Sequence, residues 1–155
     1  MVNISFTMDK EVKVKEYLLI ETDDACAMCG VRGKDNLTEH HIDGNRKNNS
    51  YENRIILCHN CQHRYHQDKG ISREDIEGRK RRLIAKTLTQ YGVNALRVAC
   101  RGDGRIYGMT ILLQHLVDLG FLKKKEIDRT YDDIEVDACF AITKKGRRLY
   151  EKWLK

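Results

Sequence analysis

Two Cys-x-x-Cys pairs, Cys26/Cys29 and Cys58/Cys61, stand 28 residues apart in a chain of 155. A two-residue spacer lets a tight knuckle aim both sulfurs at one ion, and four thiolates match the number and softness of a closed tetrahedral zinc site. Gly30, directly after the second cysteine, permits the positive backbone dihedral that such knuckles often require. Two disulfides are the competing reading. They are disfavoured because the opening MVNISFTMDKEVKVKEY lacks the basic-then-apolar layout of a secretion signal, so a reducing cytoplasmic setting is expected. A site closed by four sulfurs keeps no position open for catalysis. Any chemistry must come from what lies between and just after the cysteines.

That stretch is rich in groups suited to phosphodiester hydrolysis. It runs Glu39-His40-His41-Ile42-Asp43-Gly44-Asn45, then Asn53-Arg54-Ile55-Ile56-Leu57-Cys58, and ends on Gln62-His63-Arg64-Tyr65-His66. The reaction needs a base that titrates near neutrality, a cation to offset charge developing on phosphorus, and help for the leaving oxygen. Histidine is the natural base. A hard divalent ion such as Mg2+ or Mn2+, held by few protein ligands, supplies the other two.

In order and spacing, residues 23 to 68 resemble the zinc-containing branch of the HNH endonucleases, also called ββα-metal nucleases. The resemblance implies a two-stranded hairpin carrying His40-His41 and Asn53, followed by a short helix that starts at the second knuckle and holds residues 62 to 66. It implies His41 as general base, His40 as a ligand of the catalytic ion, and Asn53 as the residue orienting the segment that bears His41. Adjacent strand residues point to opposite sides, so a twist or bulge is expected to bring both histidines to one cleft. The family commonly places His or Asn directly after the last cysteine, where this chain has Gln62. Gln62 can offer its amide oxygen, and His66, one turn later, shares its helix face. His63 points roughly 100° away from Gln62 and ranks below His66. Arg46, Lys47, Arg54 and Arg64 are candidate phosphate contacts, with a solvated face the alternative. Asp43, Asn48 and Asn49 are usual turn-formers, and His59 and His63 are assigned to the solvent-facing surface or to phosphate contact, not to catalysis.

The surrounding elements must position these groups. Residues 3 to 20 mix alternation at Val12 and Val14 with the apolar run Tyr17 to Ile20, and read as one or two strands. Residues 21 to 72 are too polar to build a core without help. Leu83, Ile84, Leu88 and Tyr91 fall on one stripe, giving a helix over 73 to 92 with Gly92 as its C-terminal cap. Met109, Leu112, Leu113, Leu116 and Leu119 give a second helix, stopped by Gly120. Phe121-Leu122 begins a strand that the charged stretch 123 to 133 interrupts, and Ile134, Val136, Ala138, Phe140 and Ile142 alternate as a returning strand. Thr143 can cap a last helix burying Leu149, Tyr150, Trp153 and Leu154.

Over about residues 75 to 155 this succession resembles a winged helix, a module that either reads DNA with the helix before its hairpin or serves dimerisation. The wing would carry Asp128, Asp132, Asp133, Glu135 and Asp137, and carboxylates repel phosphate. The expectation is therefore an α+β protein: a ββα-metal HNH domain with a four-cysteine zinc site and N-terminal strand or strands over 1 to 72, and a winged-helix-like domain over 73 to 155.

Charge is unevenly spread. Residues 1 to 71 hold 10 Lys+Arg against 11 Asp+Glu, and residues 72 to 155 hold 19 against 12. The C-terminal surplus favours a polyanionic partner such as DNA. No window offers the 18 or more apolar residues of a membrane span. Cys100 and Cys139 sit within apolar stretches and read as small buried hydrophobes. The expected function is metal-dependent hydrolysis of DNA phosphodiesters, with the C-terminal module either binding DNA or forming a homodimer. The rival is a zinc-ribbon and winged-helix DNA-binding protein without catalysis, for which Gln62 is the best support.

Overall fold

The computed structural model describes residues 10–155, and the segment 3–9 of the N-terminal strand expectation lies outside them. The described chain is α+β. It runs α1 (Lys10–Thr22), β1 (Leu37–His41), β2 (Arg54–Cys58), α2 (His59–His66), α3 (Arg73–Arg101), β3 (Arg105–Met109), α4 (Thr110–Asp118), β4 (Leu122–Tyr131), β5 (Ile134–Ile142) and α5 (Lys144–Leu149), which continues as a π-helical turn, Tyr150–Leu154. Two antiparallel sheets result: β1 with β2, and a three-stranded sheet in the order β3-β5-β4. Among the described residues, no helix is long and apolar enough to cross a membrane.

Where strands are expected before residue 20, α1 is a helix. Val14, Leu18 and Glu21 are buried, and their four- and three-residue spacing is that of a helix face, not of a strand. The pattern misleads because Ile20 is 71% exposed while Glu21 is 2% exposed. Lys80, fully buried on α3, supplies the reason: its Nζ donates to Glu21 Oε1 at 2.6 Å and lies 3.8 Å from the centroid of the Tyr51 ring. The Tyr51 hydroxyl donates to Glu21 Oε2, and Thr87 Oγ1 donates to the same oxygen at 3.3 Å. A buried charge is tolerated only when paired and hydrogen-bonded. Burial pushes the Lys80 ammonium toward neutrality, and Glu21 opposes that shift.

The second difference is α3. The expected helix over 73 to 92 continues to Arg101, broken in direction at Thr89, whose φ of 59° and ψ of 165° are non-helical. Gly92 is no cap. It is buried inside the second arm, where a Cβ would stand 3.1 Å from His115 Nε2, and that nitrogen is 3.0 Å from the Leu88 carbonyl at the break. Ser72 starts the helix with a capping box closed by Asp75.

The remaining elements differ in detail. Met109 ends β3, a strand that no sequence periodicity announces, and serves as N-cap to α4. Gly120 adopts φ 79° after that helix, a conformation suited to a C-terminal stop. The charged residues after Leu122 do not interrupt β4, which pairs with β5 out to Tyr131↔Ile134. Asp132 and Asp133, at φ 46° and 62°, make the two-residue turn with positive φ at both positions that matches strand twist. Thr143 caps α5 by accepting from Gly146 N at 3.0 Å.

The core does not stop at residue 72. Tyr51, Ile55 and Leu57, each fully buried, belong to the same apolar cluster as Ile84, Leu88 and Leu116. Tyr51 meets Phe121 edge to face, with ring centroids 6.2 Å apart.

Candidate metal centre and active-site cleft

The Sγ atoms of Cys26, Cys29, Cys58 and Cys61 all lie within 4.8 Å of one another. Two local structures produce this. In the first knuckle, Cys26 N donates to Val31 O and Gly30 N donates to Cys26 O, each at 2.9 Å, with Gly30 at φ 76°. In the second, Cys58 is the N-cap of α2, and its sulfur accepts from Cys61 N at 3.4 Å. Ala27 N donates to Ile56 O at 2.9 Å and ties the first knuckle to β2. Burial raises the Cys26 thiol, but N–H donors from Cys29, Cys58 and Met28 outweigh it and hold the pKa at about 7. Donors aimed at sulfur favour the thiolate that a metal requires. The cluster can hold a metal ion. Among the described residues it is the one group of three or more His, Cys, Asp or Glu side chains with convergent ligand atoms. Of the remaining cysteines, Cys139 is buried and Cys100 partly so.

The β1–β2 ladder runs from Leu37↔Cys58 to His41↔Arg54 without a register shift. Of the expected twist or bulge between the two histidines, the bulge is therefore absent. His40 turns beneath α2, its ring centroid 4.9 Å from that of Tyr65 and 5.7 Å from that of His66. His41 meets the following loop, with Nε2 2.9 Å from Asn49 Oδ1. Both still border one cleft of about 390 Å3, together with Gln62, His66, Gly44 and Arg46. His63 is exposed and does not border it.

His40 is 6% exposed, and its Nε2 is buried without a hydrogen-bond partner. Burial first, then the neighbouring His66 and His41, pull its pKa down to about 4. At neutral pH its imidazole is uncharged, the form that ligates metals.

Asn53 sits immediately before β2, 8% exposed. Its Oδ1 accepts from Asp43 N at 3.1 Å, and its Nδ2 donates to Asp43 Oδ1 at 2.8 Å and to Asn48 O at 3.0 Å. The loop after His41 is thus clasped at both ends. Asp43 contributes more than a turn: it also accepts from Asn45 N and from Asn48 Nδ2, each at 2.8 Å. These hydrogen bonds hold the Asp43 carboxyl below its ordinary pKa, that from Asn48 most of all. Sequence reasoning passes over Asp43 and Asn49 because Asx residues in a loop carry the same signal whether they merely turn the chain or also clamp a side chain.

The four candidate phosphate contacts separate. Arg46 borders the cleft, Lys47 is exposed in the same loop, and Arg64 is exposed with its Nε donating to Lys69 O at 3.1 Å. Arg54 differs. Its side chain is 4% exposed and its Nη1 donates to Glu39 Oε2 at 3.0 Å, so it braces β1 against β2 instead of facing a ligand. Its place on a strand buried at every position explains the error.

Compared with protein-family models, with characterised proteins and with solved structures, the chain matches none.

Proposed function

We propose that this protein is a metal-dependent endonuclease of the HNH type that hydrolyses DNA phosphodiester bonds, with its catalytic segment held by a structural zinc. The observation that carries the reading is the unpartnered, buried Nε2 of His40 beside a cleft that also takes in His41, Gln62 and His66. An imidazole nitrogen shielded from water and left without a hydrogen-bond partner is costly unless something occupies it, and a divalent cation suits it. Gln62 and His66 line the same cleft and are the further ligands assigned to such an ion. When bound, that ion offsets charge on the reacting phosphate and on the leaving oxygen.

Support for a general base comes from His41. An amide oxygen can only accept, so the contact with Asn49 Oδ1 favours the tautomer with its proton on Nε2. Nδ1 then carries the lone pair that takes a proton from the attacking water. Asn53 keeps the intervening loop rigid, which is how a base contributes most. The antiparallel β1–β2 pair leading into α2 supports a ββα-metal arrangement, and α3, α4 and α5 around the β3-β5-β4 sheet support a winged-helix reading of the remainder. DNA as substrate rests on Arg46 at the cleft, on the exposed Lys47 in the same loop and Arg64 on α2, and on the basic surplus after residue 71.

Incubating zinc-loaded protein with supercoiled plasmid, with and without added Mg2+ or Mn2+, tests the reading. Conversion to nicked or linear DNA only with the added ion is expected. Undiminished integrity of the plasmid under every divalent ion would leave the non-catalytic DNA-binding alternative.

A further inference from the structure

Among the described residues, eleven large hydrophobic side chains remain exposed, and nine of them lie between residues 91 and 134. Two patches stand out there. One is a groove of about 480 Å3 between the second arm of α3 and the free edge of β3, lined by Tyr91, Val98, Ile106, Tyr107 and Leu113. The other is the far end of the β4–β5 hairpin, where Ile127, Tyr131 and Ile134 are 54%, 73% and 67% exposed.

Their charges are opposite. Arg105 lines the groove, and Arg101, exposed one turn beyond Val98, continues the same helix face. Around the hairpin end, residues 126 to 137 carry six acidic side chains; Glu135 and Asp137 pair with Lys124 and Arg129, and the acidic surplus near the turn rests on Glu126, Asp128, Asp132 and Asp133. The two patches cannot meet within one molecule. Pairing with β3 ends at Met109↔Asp137, while the β4–β5 ladder continues to Tyr131↔Ile134, so the hairpin end projects beyond the strand whose opposite edge borders the groove.

The face is also ill-suited to DNA. On α4, the helix preceding the hairpin, Ile111 is 79% and Leu112 42% exposed, and the helix TILLQHLVD contains no lysine or arginine. Phosphate contacts draw on cationic and polar donors, whereas exposed aromatic and aliphatic groups with a charged rim are what protein interfaces use.

We propose that the occupant of the groove is a second copy of this chain: in a two-fold dimer, the acidic, apolar hairpin end of each protomer docks into its partner's basic-rimmed groove. Two-fold symmetry forms the contact twice and leaves neither patch exposed. This inference stands on the C-terminal half and does not depend on the nuclease reading.

Sedimentation equilibrium of the full, zinc-loaded chain from about 1 to about 100 µM tests it, the range in which interfaces of ordinary size associate. The parent is expected to be a dimer. Arg101→Glu with Arg105→Glu in the groove, or Asp128→Lys with Asp132→Asn at the hairpin end, should each weaken self-association at least about tenfold by opposing like charges. Mixing the two defective variants should restore dimers, because each groove then faces a complementary end. Val98→Arg, at a side chain already 59% exposed, gives a second obstruction that folding tolerates. A parent that stays monomeric across the range, or a dimer indifferent to all three variants, overturns the proposal. So does failure of the mixture to recover while both variants keep parental circular dichroism and zinc content.

Discussion

Two antiparallel strand pairs among the described residues, β1–β2 and β4–β5, have opposite physical designs. In β1–β2, all five residues of β2 are buried and the loop joining the strands is clasped by Asn53 and Asp43. In β4–β5, nine of the ten residues of β4 are exposed, and the two-residue turn at Asp132-Asp133 leaves no loop to organise. The first pair is fixed from all sides, by a cysteine knuckle, by α2 and by the core, and so can hold imidazoles at defined positions. The second is an arm whose outer surface is free to meet another molecule. Rigidity favours reaction chemistry, which loses rate when a group strays by an ångström, while projection favours association.

If the comparison is right, the first pair depends on its metal and the second does not. Cys26→Ser or Cys61→Ser should abolish stoichiometric zinc and unfold the segment around β1–β2, since metal binding is folding free energy worth on the order of 10 kcal/mol in small zinc modules. Elemental analysis with circular dichroism would check this, and a fully folded, zinc-free variant would break the comparison.

Next in size is the buried pair that joins α1 to α3. Lys80→Ala strands the Glu21 carboxylate in the core and should cost about 3–5 kcal/mol in a denaturant titration. Replacing both charges, Glu21→Gln with Lys80→Met, should recover much of the loss. Equal losses in single and double variants would show that shape, not charge, matters there.

Asn53→Ala should cost about 1–3 kcal/mol, because it leaves the Asp43 N–H and the Asn48 carbonyl without their partner. Hydrogen exchange should quicken in residues 42 to 53 and not in β4–β5. The smallest effect is expected at Thr89. Its φ of 59° with ψ of 165° is a region that glycine occupies without penalty, so Thr89→Gly should stabilise the fold by about 1 kcal/mol. A lower melting temperature would mean that the hydrogen bond from Gly92 N to Thr89 Oγ1, at 3.4 Å, outweighs the strain.

What the sequence discloses follows the same division. The four-cysteine cluster is legible because ligand spacing is a local constraint that two short turns satisfy. The Thr143 cap is equally local, as is the α4 helix, although Met109 and Leu112 of its stripe are exposed; the helix after the second knuckle is what the family resemblance implies. What stays hidden depends on partners remote in sequence. Glu21 is drawn inward by Lys80, 59 residues away, and its burial disguises α1 as strand. The Thr89 break has no glycine or proline to announce it and is accommodated by His115 on α4. β3, RIYGM, buries only Ile106, too little for a periodic signal. Arg54 looks like a surface cation until Glu39 and the fully buried strand around it are seen together. In the cleft, the histidines are conspicuous by type, but the Asn49 clamp on His41 emerges only from geometry.

The central claim, that the clasped hairpin is built for phosphodiester hydrolysis, is tested most directly by comparing the parent with His41→Ala in single-turnover plasmid cleavage at saturating Mg2+ or Mn2+. The variant should retain its zinc, its fold and its affinity for DNA while cleavage slows by about 10²–10⁴-fold, the usual contribution of a general base. An active parent whose His41→Ala variant cleaves at the parental rate would contradict the account.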